Sequence, residues 1–309
     1  MSDDCGSGGR MPSLRGCGTA LVTPFLSGGA IDEKGVVALA RRQVDAGAHF
    51  LVPCGTTGES ATLASAEKVR IAELVVEAAD GRVPVIAGCG GSDTAEVIDL
   101  AGEIEATGAD GLLVVTPFYN KPTPDGLFAH YGALAEATAL PIVVYNVPSR
   151  TGVNVSPATL ARLASIPGVE GVKEAAGDIM QMGRVVKAAP EGFAVLSGDD
   201  AAALPAMALG AQGLISVVSN QIPGPMAKLC DLCLAGDFPA ARELHNRWLE
   251  LMEANFCETN PGPVKYSMYE MGLLELRYRL PLAPITEASR GRVLDAMRAA
   301  GLFVAAAGA

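Results

Sequence analysis

The chain has 309 residues, half of them hydrophobic, with 36 glycines and a formal net charge of -11. That length suits one large α/β barrel or two ordinary domains, and a core built from Ala, Val and Leu. The acidic balance gives no electrostatic footprint for nucleic acid. No uninterrupted apolar run reaches spanning length: the nearest, Ala201 to Val218, is broken by Pro205, Gly210, Gln212 and Gly213.

Met1 to Arg10 is polar and glycine-rich and lacks the apolar core of a signal peptide. Residues 1–13 are expected to form a disordered tail, with Met11 as an alternative start. The seven cysteines are scattered (5, 17, 54, 89, 230, 233, 257), the pattern of reduced cytosolic thiols used as small hydrophobes. Cys230 and Cys233 have CxxC spacing, but no second pair and no histidine lies nearby in sequence, which argues against a zinc or redox role. The three histidines, His49, His130 and His245, are far apart, so no metal centre is expected.

Three segments echo one another: Ala46 to Val52, Thr107 to Leu113 and Leu209 to Ile215. Each reads as a helix end, a Gly-Ala turn and a buried strand, because glycine caps a helix in the left-handed conformation and a wholly apolar strand needs cover on both faces. Strands are expected near residues 18–23, 49–54, 83–88, 111–116, 141–145, 169–173, 193–197 and 212–217, each followed by a helix-like stretch. Eight such units in about 235 residues match a (β/α)8 TIM barrel. The open doubly wound alternative usually carries a Gly-rich phosphate fingerprint after its first strand, and Ala20 to Phe25 has none. Beyond residue 236 come three helices and no strands, at Phe238 to Phe256, Pro263 to Met271 and Glu287 to Ala300, separated by Pro-rich breaks. The expected organisation is a tail (1–13), a catalytic barrel (14–236) and a C-terminal helical region (237–309) packed on or beside it.

Barrel chemistry sits where strands end. The second strand runs into Gly55-Thr56-Thr57-Gly58-Glu59-Ser60, the fourth into Thr116 to Pro122 with Tyr119, the fifth into Tyr145-Asn146-Val147-Pro148-Ser149-Arg150-Thr151-Gly152. The sixth ends at Lys173, the seventh at Ser197-Gly198-Asp199-Asp200, the eighth at Ile215-Ser216. This rim collects hydroxyls, an arginine and a lysine, a set suited to carbonyl chemistry. Lys173 is the key residue: burial disfavours the charged form of a lysine and leaves the amine a nucleophile toward carbonyl carbon. By strand alternation Val169, Gly171 and Lys173 share one side, with Glu174 on the other. If that side faces the axis, Lys173 points into the mouth, Gly171 leaves room beneath it, and Tyr145 is within reach. Each feature taken alone has a plainer reading. Gly55 to Gly58 is also a helix-capping turn, Tyr145 a core tyrosine and Arg150 a surface arginine. Asp199 and Asp200 are also helix N-cap groups. Their joint rim placement favours function.

On these motifs, with Gly171-Val172-Lys173-Glu174-Ala175, Asn260 to Lys265 and Leu280 to Thr286, the chain resembles the dihydrodipicolinate synthase family. These are pyruvate-dependent class I aldolases, related to N-acetylneuraminate lyase, and the likeness spans roughly residues 14–303. The resemblance implies condensation of pyruvate with L-aspartate 4-semialdehyde to 4-hydroxy-tetrahydrodipicolinate, in the cytoplasm, for diaminopimelate and lysine synthesis. Lys173 would form the imine with pyruvate, so no cofactor and no metal is implied. Tyr145, Thr56 and Tyr119 would relay protons, with Tyr119 entering the neighbouring subunit of a homotetramer built from dimers. Thr57 would hold the pyruvate carboxylate, with the backbone at Ile215 and Gly198 lining the pocket. Arg150 would orient Tyr145 and pair with the second substrate's carboxylate, a bidentate task suited to guanidinium. The alternatives are another pyruvate aldolase acting on N-acetylneuraminate or a 2-keto-3-deoxy sugar acid, and a catalytically dead barrel that binds a carboxylate. Positions matching the family's lysine effector site are Ser60, Ala61, Ser65, Lys68, Ser92, Glu96 and Phe118. Lys68 there would face the effector's own cation, so weak or absent lysine feedback is expected.

Overall fold

A computed structural model describes residues 14–302. The tail expected over residues 1–13, and residues 303–309 of the expected C-terminal region, lie outside the described residues. Eight strands run β1 (Gly16–Ala20), β2 (Phe50–Val52), β3 (Ile86–Gly88), β4 (Gly111–Val115), β5 (Ile142–Asn146), β6 (Val169–Glu174), β7 (Ala194–Ser197) and β8 (Gly213–Ser216). All pair in parallel, in the order β2-β1-β8-β7-β6-β5-β4-β3. The ring closes between β2 and β3 through the parallel bridge Leu51–Val85 and the bonds Leu51 N to Pro84 O (2.9 Å) and Gly88 N to Pro53 O (2.8 Å). The expected (β/α)8 barrel is therefore the observed fold.

Strand bounds agree with expectation to within a few residues, and β1 differs most. It starts at Gly16, paired with Gly213 of β8, and stops at Ala20. The chain leaves the ladder just beyond it: Leu21 N still donates to Val52 O at 3.0 Å, but Val22 N donates to Asn220 Oδ1 at 3.2 Å.

Alternation divides the strand residues between two cores. Ala20, Phe50, Val52, Ile86, Leu113, Val143, Tyr145, Leu196 and Ile215 pack together inside the barrel. Gly18 is needed there, since a Cβ at that position would lie 2.0 Å from the Phe50 ring. Leu112, Val114, Ile142, Val144, Val172 and Val195 face outward and pack with the surrounding helices. The helices at the C-terminal end, Phe238–Ala254, Gly262–Glu270 and Glu287–Ala299, match the three expected. Their Trp248, Leu251, Met252, Val293 and Met297 share one buried cluster with Cys17 of β1 and Leu214 of β8. Barrel and C-terminal helices thus bury a common core rather than two separate ones.

Candidate active site

Lys173 and Tyr145 are opposite one another in the β5–β6 ladder, and Lys173 also pairs with Leu196 of β7. Both side chains are buried, at 4% and 6% exposure, and Lys173 Nζ lies 4.3 Å from the centroid of the Tyr145 ring. The amine therefore sits at the strand ends, inside the barrel, against a phenol. One detail corrects the expected alternation. The register steps from Ile142–Val169 to Val143–Gly171, so Glu170 is an extra residue in β6. That bulge turns Val169 outward, where it packs with the helices, while Gly171 and Lys173 pair with inward-facing Val143 and Tyr145.

The turn after β2 supplies the next groups. Thr56–Gly58 is a single 3-10 turn entered from extended Gly55 and left through Glu59 in the left-handed conformation. Thr56 Oγ1 donates to Tyr145 Oη over 3.4 Å. Thr57 is buried, and its Oγ1 accepts from Asn260 Nδ2 at 3.0 Å, so its own proton is left to donate elsewhere. The backbone oxygen of Asn260 accepts from Arg150 Nη2 at 3.3 Å. Arg150 is carried by the short helix Pro148–Thr151 that follows β5. Arg150, Thr56, Asn260, Phe118, Pro281 and Leu282 are among the residues lining a cavity of 280 Å³. A smaller one, 30 Å³, touches Thr56, Tyr145 and Lys68.

The seventh and eighth strands complete the wall. Gly198 follows β7, and a Cβ there would fall 3.0 Å from Lys173 Cε and 2.6 Å from Ala175 Cβ. Ile215 lies inside the barrel beside Tyr145 and Leu196. Asp199 and Asp200 are structural in geometry: Asp199 Oδ1 accepts from Ala201 N (2.9 Å) and Ala202 N (3.3 Å). Asp200 accepts from Ser216 Oγ (2.5 Å) and from Val217 N and Val218 N (3.0 Å each). Burial pushes the Asp200 carboxyl up to about 6, against the pull of those donors. Glu174 turns away from the axis as expected. It accepts from Asn146 Nδ2 (3.0 Å), Gln181 Nε2 (3.3 Å) and Ala176 N (2.7 Å), and burial raises its carboxyl above the usual range.

The structure thus brings together Lys173, Tyr145, Thr56, Thr57, Gly198 and Ile215, with Arg150 at the rim. It does not bring Tyr119 to them. Tyr119 is 93% exposed, with φ of 70°, on the loop after β4. The histidines stay apart in local roles: His49 Nδ1 accepts from Cys17 N, and His130 meets Thr94 Oγ1, each at 3.0 Å. Cys230 and Cys233 are buried in the helix Pro223–Leu234. Burial pushes Cys54 and Cys89 up to about 12.

One constellation was not read from the sequence. Lys265 and Glu59 form an ion pair at 2.6 Å with both side chains fully buried. Lys265 Nζ also donates to Thr23 O at 3.0 Å, and Glu59 Oε2 accepts from Arg279 N at 3.1 Å. The charged motif residues Glu59 and Lys265 were visible, but nothing local joins residues 206 apart.

A sequence profile of the Dihydrodipicolinate synthetase family matches residues 13–300. The chain belongs to this family. Among dihydrodipicolinate synthetase family relatives, the 4-hydroxy-tetrahydrodipicolinate synthase of Koribacter versatilis is 47% identical over 94% of this chain and 97% of its own length. That of Syntrophus aciditrophicus is 48% identical over 94% and 99%. The fold is shared with the chloride-inhibited dihydrodipicolinate synthase from Acinetobacter baumannii, solved in complex with pyruvate. The TM-score is 0.92 and the identity 42%, over 94% of this chain and 100% of that one.

Proposed function

We propose that this chain is a 4-hydroxy-tetrahydrodipicolinate synthase, joining pyruvate to L-aspartate 4-semialdehyde through an imine on Lys173. The observation that carries the reading is the buried Lys173–Tyr145 pair at 4.3 Å, tied to Thr56 through the tyrosine hydroxyl. Lys173 Nζ adds to the keto carbon of pyruvate, and the keto oxygen leaves as water. The imine draws electrons from the methyl carbon, a proton is removed there, and an enamine forms. The enamine carbon attacks the aldehyde carbon, whose oxygen takes a proton and becomes the 4-hydroxyl. The substrate's own amine then attacks the imine carbon, closes the ring and releases Lys173. Tyr145, with Thr56 behind it, passes each proton in this reading; such positioned transfer contributes about 100- to 10,000-fold. No step calls for a cofactor, because the lysine supplies the electron sink.

Thr57 serves the pyruvate carboxylate, since its oxygen is already engaged by Asn260 and its proton is free to be given. Gly198 leaves space for the lysine stem, and Ile215 forms the apolar wall. Arg150 serves the carboxylate of the aldehyde from the rim of the 280 Å³ cavity. Tyr119 joins the relay of a neighbouring copy; its 93% exposure within one chain supports that reading. The assembly we propose is a homotetramer built from such dimers. The working compartment is the cytoplasm, in keeping with the free cysteines among the described residues. No helix of the described residues is long and apolar enough to cross a membrane. The barrel over 14–236 carries the chemistry, and the helical region from 237 contributes Asn260 to the site.

The second substrate decides between this reading and the sugar-acid aldolases. Incubated with pyruvate and a panel of aldehydes, the protein is expected to consume L-aspartate 4-semialdehyde and to leave N-acetylmannosamine and glyceraldehyde untouched. The reverse preference would overturn it.

A further inference from the structure

We propose that the buried Lys265–Glu59 ion pair is a positioning device for pyruvate: it sets the Thr56–Thr57 turn against Lys173. The proposal rests on the reading of Lys173 and Thr57 as the keto-acid site and names two residues that act on it from a distance.

Glu59 ends the 3-10 turn, its amide donating to Thr56 O at 3.1 Å, and its φ of 58° lies in the left-handed region. A non-glycine residue holds that conformation only where its surroundings enforce it. Here they do so from three chain segments. Lys265, from the helix Gly262–Glu270, takes one carboxylate oxygen, and the Arg279 amide takes the other. Thr23, after β1, links Lys265 to the turn: its carbonyl accepts from Lys265, and its hydroxyl donates to Gly58 O at 2.7 Å. The ammonium is boxed by the Phe25 and Tyr278 rings at 4.5 and 5.2 Å. The residue directly before Gly58 is Thr57, whose hydroxyl oxygen accepts from Asn260, two residues before the start of the helix that carries Lys265.

Stability alone does not favour this arrangement. Two charges stripped of water usually contribute no more than a well-packed apolar pair of the same volume. What charge-assisted hydrogen bonds add is direction and length. A turn that must present one hydroxyl to a carboxylate and another to Tyr145 needs that control.

The test uses Glu59→Gln, Lys265→Met and the double variant. The parent is first treated with pyruvate and borohydride; failure to fix pyruvate at Lys173 defeats the underlying reading and is seen separately. Steady-state kinetics and thermal unfolding then follow. Each variant is expected to raise the KM for pyruvate by about tenfold or more, the worth of a lost charged hydrogen bond. The KM for the aldehyde, gripped by Arg150, should stay within about twofold. The double variant should regain the melting temperature lost in the singles without regaining the pyruvate KM. Joint recovery of both would make the pair a purely structural feature, as would folded single variants with an unchanged pyruvate KM. Where a single variant does not fold, the double variant carries the test.

Discussion

Lys173 lies against a glycine that its chemistry depends on. Gly198 gives its stem room, and Gly198→Ala would drive a methyl to within 3.0 Å of Cε and 2.6 Å of Ala175. Displacing a reacting amine by even a fraction of its reach is costly, so pyruvate trapping by this variant should slow by about 100-fold. Parent-like trapping rates would show that the site tolerates the methyl. Asp200 carries a different signal. Its carboxyl has an ordinary value of 3.8 and is raised by burial to about 6 in the folded chain. The folded state therefore keeps a proton that the unfolded state releases. The contribution is most favourable below the unfolded value and is lost as pH climbs from 3.8 through about 6. Asp200→Asn should remove a decline on the order of 3 kcal/mol across that window. Melting curves of the two proteins at several pH values check this; parallel pH profiles would contradict it. Neither effect was legible beforehand. The residues stood in the motif, but the crowding at Gly198 and the burial of Asp200 exist only once β6, β7 and β8 lie side by side.

At the scale of elements, the strands were readable because a parallel barrel demands largely apolar strands, and Gly-Ala turns mark where three of them begin. The bulge at Glu170 was not. It adds one residue to β6 at a position that simple alternation would place outward, and only the pairing with Val143 reveals which side each residue takes. The turn Thr56–Gly58 was recognised as a rim motif. Its support by Asn260 and Lys265 was hidden, because those contacts span 203 and 206 residues. The next elements along, the turn Ser60–Thr62 and the helix Ser65–Ala79, place Ser60 and Lys68 on one small cavity beside Tyr145. A cation fixed there opposes a lysine effector. Assays with millimolar L-lysine should show weak inhibition or none, and half-maximal inhibition below millimolar lysine would contradict that expectation.

For the molecule as a whole, one chain folds into a closed barrel with a shared C-terminal core, yet holds Tyr119 out in solvent, 93% exposed. Nothing in the order of residues separates a tyrosine that acts in its own barrel from one that acts next door. Complementation does. Lys173→Ala and Tyr119→Phe proteins should each be nearly inactive, and mixing them under subunit exchange should restore activity, since one site of each hybrid dimer is intact. No gain on mixing would place Tyr119 in its own chain's site or outside the chemistry.

The most direct measurement is reductive trapping: the protein is incubated with pyruvate and borohydride, digested, and mapped by mass spectrometry. The account predicts a single stable pyruvate adduct on the peptide containing Lys173, absent without pyruvate and absent in Lys173→Ala. A protein that turns over both substrates with no adduct at Lys173, or with the adduct on another lysine, would contradict it.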